Sequence, residues 1–341
     1  MNSRSGQRIL IVGPNWVGDM VMAQSLLKKL KQTDPDCMID VLAPAWTLPL
    51  AAYMPEVQTA IEIPLKRGEL GIRARYRLGR ALSKKVYDQA ILLPNSLKSA
   101  LIPYFAGIPK RTGYLGEQRW GLLNDVRNLD KSRLTQTVQR FVALADDTSA
   151  ATPPQCPEPL FVVNADEISR VQVKYGVKGQ RGKVLGLCPG AEYGPAKRWP
   201  EQHFAALANI NLDRAWSVWL FGSANDRGVC QSIDQATGGR CRNFAGKTAL
   251  GEAITLLSLT DRVVTNDSGL MHVAAALGKP LIALYGSSDP TFTPPLTQQA
   301  HVVRLGLACS PCFQRVCPLG HFRCMNEIEP GWVNQLLDKA V

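Results

Sequence analysis

No stretch of the 341-residue chain is long and apolar enough to span a bilayer. The first apolar segment, residues 9–12, follows Arg4 and Arg8 but is too short for a secretory leader, so the chain is expected to stay in the cytoplasm. Short-period repeats and low-complexity tracts are missing, which argues against a solenoid or a disordered tail. The first glycine-containing turn lacks Gly-x-Gly-x-x-Gly, so NAD is not indicated. Cysteines number nine, an odd count, and without an export signal a disulfide framework is not expected. Acidic side chains are outnumbered, 28 against 39 basic ones, for a formal net charge of +11.

That excess sits mostly in the first half. Residues 1–150 carry 21 basic against 13 acidic side chains, and residues 151–341 carry 18 against 15. A basic half implies an anionic partner, whether nucleic acid, acidic lipid or a phosphorylated substrate, or else a merely soluble basic surface. Hydrophobic residues make up 45% and mean hydropathy is −0.07, as in a soluble globular protein. The length suits two domains of ordinary size.

Strand and helix patterns alternate along the chain. Strands are expected at 8–12, 38–42, 57–63 and 88–93, with helices after the first and last and over 70–85. Residues 146–159 hold four prolines and no apolar periodicity, and read as a linker. The alternation restarts with strands near 184–187, 216–221 and 242–244 and helices near 202–212 and 250–259. The expected fold class is therefore α/β, with two doubly wound domains, 1–150 and 160–341. Two such domains facing across a cleft would bind a small ligand there.

Residues 263–286 read as strand, tight turn, helix, strand. The turn Asn266-Asp267-Ser268-Gly269 would lie at the carboxyl end of a parallel strand and start a helix, an arrangement that suits a phosphate. Ser268 is expected to cap the helix, and Gly269 to let a ligand approach the backbone. Asp267 could accept from sugar hydroxyls and His272 could donate to a phosphate. Ordinary N-cap chemistry and a structural histidine remain the alternatives.

Five other places carry chemistry-bearing residues. Asp19, after the first strand, is either a base for a hydroxyl nucleophile or a first-turn helix acid. The loop 188–200 sets Lys197-Arg198 beside Trp199-Pro200, a preordered pair of cations suited to a diphosphate. Segment 221–226 would line a base or ribose, or be a plain turn. Arg73, Arg77, Arg80 and Lys84 share one helical face that could meet acidic lipid headgroups or water. Finally, Cys309, Cys312, Cys317 and Cys324 lie close enough in sequence for a structural zinc site, although their spacings do not match a paired Cys-x2-Cys knuckle.

Five segments together resemble the lipopolysaccharide heptosyltransferases: residues 13–20 (Gly-Pro-Asn-Trp-Val-Gly-Asp-Met), 93–100, 107–114, 188–200 and 265–272. The resemblance implies a GT-B glycosyltransferase with two Rossmann-like domains. The N-terminal one would hold a lipid A–core acceptor and the C-terminal one ADP-L-glycero-D-manno-heptose. The implied reaction adds a second heptose to heptosyl-Kdo2-lipid A with inversion. By motif matching, Asp19 would be the general base, Lys197 would bind the diphosphate, and Asp267, Ser268, Gly269 and His272 would contact the donor. Asn95 and the loop cations Lys98, Arg111 and Arg119 are the candidates to meet the acceptor. No cofactor or catalytic metal is expected, because Lys197 and a helix N-terminus could replace one and no Asp-x-Asp of the metal-dependent transferase kind is present. The implied place of work is the cytoplasmic face of the inner membrane, on an anionic surface and without nucleic acid. A sister enzyme acting at another core position, a GT-B nucleotide-sugar epimerase, and a basic binding protein are the rival readings.

Overall fold

Runs such as Arg8–Val12 and Val184–Cys188 become central strands because neighbouring strands and helices bury them on both faces. Residues 9–12 and 184–188 are all buried. The computed structural model describes residues 6–146 and 152–339. It separates into one unit ending at Pro159 and another beginning at Leu160. Residues 152–159 carry no regular secondary structure, and the rest of the expected linker, 147–151, lies outside the described residues.

The first unit holds β1 (Arg8–Val12), α1 (Val17–Thr33), β2 (Met38–Pro44), β3 (Val57–Ile63), α2 (Ile72–Leu82), β4 (Gln89–Leu92), α3 (Leu97–Phe105), β5 (Lys110–Tyr114), β6 (Asp125–Arg127) and α4 (Thr137–Val142). All six strands pair in parallel in the order β3-β2-β1-β4-β5-β6. The second unit holds α5 (Ala165–Lys174), β7 (Val184–Cys188), α6 (Glu201–Asp213), β8 (Ser217–Leu220), α7 (Arg227–Ala236), β9 (Arg242–Asn243), α8 (Leu250–Ser258), β10 (Arg262–Asn266), α9 (Gly269–Ala276), β11 (Leu281–Leu284), β12 (Ala300–Val303), α10 (Arg323–Asn326) and α11 (Pro330–Lys339). Its sheet runs β12-β11-β10-β7-β8-β9, again all parallel. Each sheet reverses its winding beside its first strand, between β1 and β4 and between β7 and β10. The carboxyl ends of those pairs are where such sheets bind ligands.

The sequence reading missed β5, β6 and β12. Lys-Arg-Thr-Gly-Tyr has no apolar run, Asp125–Arg127 spans three residues, and Ala300–Val303 is a short outer strand with His301 and Val302 exposed. In the expected helix at 70–85, α2 covers Ile72–Leu82 and a single 3-10 turn covers Ser83–Lys85. Gly79 lets α2 cross α3 closely: a Cβ there would stand 2.6 Å from the Phe105 Cβ. That crossing leaves Arg73, Arg77, Arg80 and Lys84 exposed, together with Ile72 and Tyr76. Among the described residues, no helix is long and apolar enough to cross a membrane.

Candidate active site

In the second unit, Cys188 lies opposite Thr265 and Leu284 lies opposite Asn266, so the loops leaving β7, β10 and β11 emerge at one sheet edge. Asn266 is fully buried and pins the loop after β7 near both ends. Its Nδ2 donates to the Pro189 carbonyl at 2.7 Å, and its Oδ1 accepts the Trp199 N–H at 3.0 Å. Trp199 is locked in turn. Its indole N–H donates to the Ile328 carbonyl at 2.8 Å, and its ring meets Phe204 edge-on with centroids 4.8 Å apart. Between these anchors Pro195–Lys197 form one 3-10 turn that delivers Lys197.

Lys197 Nζ donates to Asp267 Oδ2 at 2.5 Å, and Ser288 Oγ donates to the same oxygen at 2.5 Å. The Asp267 carboxylate is nearly buried and charge-paired, so its first job is to hold the ammonium in place. Ser288 had no sequence signal beyond its place in a loop after a buried strand. Asn266 was visible only as part of a turn.

Ser268 occupies the N-cap position of α9, yet its hydroxyl makes no capping bond. The expected cap is therefore corrected. With φ −147° and ψ 173°, Ser268 stands 3.4 Å from Thr265 Oγ1. The first N–H groups of α9 are thus not taken up by that hydroxyl. His272, one turn on, is buried, and that burial pushes its imidazole down to about 4 against the pull of Asp267, with Lys197 adding to the fall. At neutral pH it is an uncharged N–H donor. Segment 221–226 closes as a capped turn, with Ser223 N–H and Oγ donating to Asp226 Oδ2 at 2.9 and 2.7 Å. Asp226 also lies 3.9 Å from Arg198.

In the first unit, the turn after β1 leads into α1, and Asp19 sits partly exposed in that helix's first turn. The turn is braced from β2's side: Trp46 Nε1 donates to the Asn15 carbonyl at 2.8 Å, and Gly13 N–H donates to the Leu42 carbonyl at 2.8 Å. A shallow, open pocket lies at this edge, lined among others by Gly13, Asn15, Trp46, Lys66, Arg67 and Lys98. Lys98 is thus at the pocket, and Asn95 is exposed nearby in the loop after β4.

Two expected acceptor cations have other work. Arg119 is fully buried. Its guanidinium donates to the Pro94 carbonyl at 2.7 Å, the Tyr114 carbonyl at 2.5 Å and Ser99 Oγ at 3.0 Å, and also reaches the Ser96 carbonyl and Asn95 Oδ1. Burial pushes it down to about 10, partly offset by Glu117. It shapes the 94–99 loop from beneath. Arg111 donates to the Leu122 and Ile108 carbonyls at 2.7 and 2.6 Å and lies over the Tyr104 ring, which secures the 108–124 turn. A cation surrounded by convergent carbonyls is held inward, and sequence position alone does not reveal that convergence.

The four cysteines of the expected zinc site lie in the loop after β12 and at the start of α10. Among the described residues, no three His, Cys, Asp or Glu groups gather as a metal ion requires. Cys317 spends its sulfur on the backbone N–H groups of its own turn, from Leu319 to Phe322, which hold its thiol below the usual range. Cys324 packs toward Gly286, where a Cβ would stand 3.1 Å from its sulfur, and burial raises its thiol, with Cys309, Cys312 and Cys317 adding to the rise. The literal Asp-x-Asp of the chain, Asp34-Pro35-Asp36, lies in the turn before β2, where the Asp34 carboxylate accepts the Gln7 and Asp36 N–H groups. It serves that turn.

Glycosyltransferase family 9 (heptosyltransferase) matches residues 75–323. The chain belongs to this family. The heptosyltransferase is 50% identical over 307 residues to lipopolysaccharide heptosyltransferase 2 of Escherichia coli K12, covering 87% of this chain and 88% of the relative. It is 49% identical over 310 residues to lipooligosaccharide heptosyltransferase 2 of Haemophilus influenzae, with the same coverage. The solved structure of E. coli ADP-heptose LPS heptosyltransferase II superposes with a TM-score of 0.87 at 44% identity, covering 98% of each chain. The heptosyltransferase is thus an α/β enzyme of the GT-B class, a glycosyltransferase of lipopolysaccharide core biosynthesis. The family match takes in Lys98, the Lys197 loop and the α9 turn; Asp19 lies before it.

Proposed function

We propose that this enzyme transfers L-glycero-D-manno-heptose from ADP-heptose to the first heptose of heptosyl-Kdo2-lipid A, with inversion. The second unit takes the donor and the first unit the acceptor. The observation that carries the donor assignment is the Lys197–Asp267–Ser288 cluster set against the start of α9 at the winding reversal of the second sheet. Half identity to enzymes named for the second heptose supports that acceptor position.

In this reading Asp19 takes the proton of the acceptor hydroxyl as its oxygen attacks the anomeric carbon. The bond from that carbon to the diphosphate breaks on the opposite face, and ADP leaves with the electron pair. Lys197, the α9 N-terminus and the neutral His272 meet the charge growing on the leaving group, so no metal is called for. The experiment is transfer from ADP-heptose, with EDTA present, onto Kdo2-lipid A bearing one heptose or none. Product on the one-heptose acceptor alone is expected. Product on the bare acceptor would reassign the core position, and turnover without any acceptor would replace the transferase reading.

We further assign the exposed face of α2 to the cytoplasmic surface of the inner membrane. Arg73, Arg77 and Arg80 alternate there with Ile72 and Tyr76, and Lys84 follows in the next 3-10 turn, which suits anionic headgroups with an apolar layer beneath. Reversing charge at Arg77 and Arg80 should weaken cosedimentation with phosphatidylglycerol vesicles and leave transfer to a detergent-free short acceptor unchanged. Equal cosedimentation would return this face to ordinary solvation.

A further inference from the structure

The loop after β12 supports both walls of the donor cluster. Ser310 Oγ donates to the Gly286 carbonyl at 2.6 Å, and Phe313 N–H donates to the Ser287 carbonyl at 2.7 Å. On the other side, Ala196 N–H donates to the Arg315 carbonyl at 3.0 Å, and Tyr193 Oη donates to the Phe313 carbonyl at 2.7 Å. The approach is close enough that a Cβ at Gly194 would stand 2.4 Å from the Arg315 carbonyl oxygen. Backbone contacts therefore fix where the Arg315 side chain starts.

That side chain shares an aromatic ring with Lys197. Lys197 Nζ lies 5.0 Å from the Tyr193 ring centroid, and the Arg315 guanidinium carbon lies 5.3 Å from it. Among the described residues, no carboxylate pairs with Arg315. The other cations here are already matched: Lys197 by Asp267, and Arg198 by Asp226 across 3.9 Å. His272 is uncharged. Apart from Arg315, these groups offer no net positive charge to a diphosphate diester that carries two negative charges and gains another on leaving.

We propose that Arg315 is a further donor-binding residue, which places its guanidinium, stacked on Tyr193, against the diphosphate of the nucleotide sugar. The inference rests on the donor site assigned above. Arg315 supplies the positive charge that the Lys197–Asp267 pair does not, and the planar fork suits two phosphate oxygens at once.

The test is calorimetric binding of ADP and of adenosine to the full chain carrying Arg315→Gln, Arg315→Lys or Lys197→Ala. Arg315→Gln should weaken ADP by about tenfold or more, the worth of a hydrogen bond to a charged group. Adenosine should bind as before, and Arg315→Lys should recover part of the loss. The Arg315 carbonyl still accepts the Ala196 N–H in every variant, so the loop keeps its backbone support. If ADP binds Arg315→Gln as tightly as the parent while Lys197→Ala weakens it, this inference falls and the donor site stands. If adenosine weakens in parallel with ADP, Arg315 is holding the loop's shape and the inference also falls. If Lys197→Ala leaves ADP untouched, the donor-site reading itself is wrong.

Discussion

Asp19→Asn is expected to lower kcat by roughly 10²-fold or more while ADP affinity and the unfolding midpoint stay near those of the parent. The substitution keeps the shape and the hydrogen-bonding reach of the side chain and removes its basicity. Asp19 lies in the first turn of α1, where a carboxylate also interacts with the helix dipole. Losing that interaction costs roughly 0.3–1 kcal/mol, too little to produce a rate loss of that size. A helix acid and a general base therefore give separable results. Steady-state transfer with saturating donor distinguishes them: near-normal turnover in Asp19→Asn would leave only the helix role.

The second large effect is expected at Lys197. Lys197→Ala should cut kcat/KM for the donor by about 10²–10³-fold, as removal of one preorganised charge-stabilising group does elsewhere. The geometry adds a sign that a simple cation count would miss. Asp267 is nearly buried, and without Lys197 its carboxylate keeps the neutral Ser288 hydroxyl but no charge partner, facing the incoming phosphates with an unmatched negative charge. Adding Asp267→Asn to Lys197→Ala should therefore restore part of the lost donor binding. The two changes would then be strongly non-additive in a double-mutant cycle. Donor kinetics unchanged in Lys197→Ala would remove the residue from the site altogether.

The parallel strands and the 263–286 unit were legible because buried runs such as Val184–Cys188 have no polar face, and because Gly278 and the Asn-Asp-Ser-Gly turn punctuate them. Strands β5 and β6 were not, since they are built largely from Lys, Arg, Thr and Asp side chains that pair with one another. Thr112 Oγ1 donates to Asp125 Oδ2 at 2.7 Å, and Arg127 reaches the same carboxylate at 2.8 Å. At the site, Lys197 and the α9 turn stood out because charge and turn chemistry are local. Arg119 misled for the opposite reason: apart from the Tyr114 carbonyl, its partners are oxygens of the 94–99 loop, 20 to 25 positions away, and nothing near it in sequence reports them. Ser288, Asn266 and Arg315 matter through contacts across the fold, which no window of neighbouring residues contains.

One contact pattern bears on how the protein is made. Tyr193 is fastened to Phe313, 120 positions later, and Trp199 to Ile328, 129 positions later. During synthesis the strands of the second sheet are complete once Val303 has left the ribosome. The wall that carries Lys197 still lacks its distant supports at that moment. A nascent chain therefore has its framework before it has the supports of the proposed donor site, and ADP-heptose bound there would begin to stabilise the growing domain only once they have emerged. Until those supports emerge, the unliganded second domain must persist unaided.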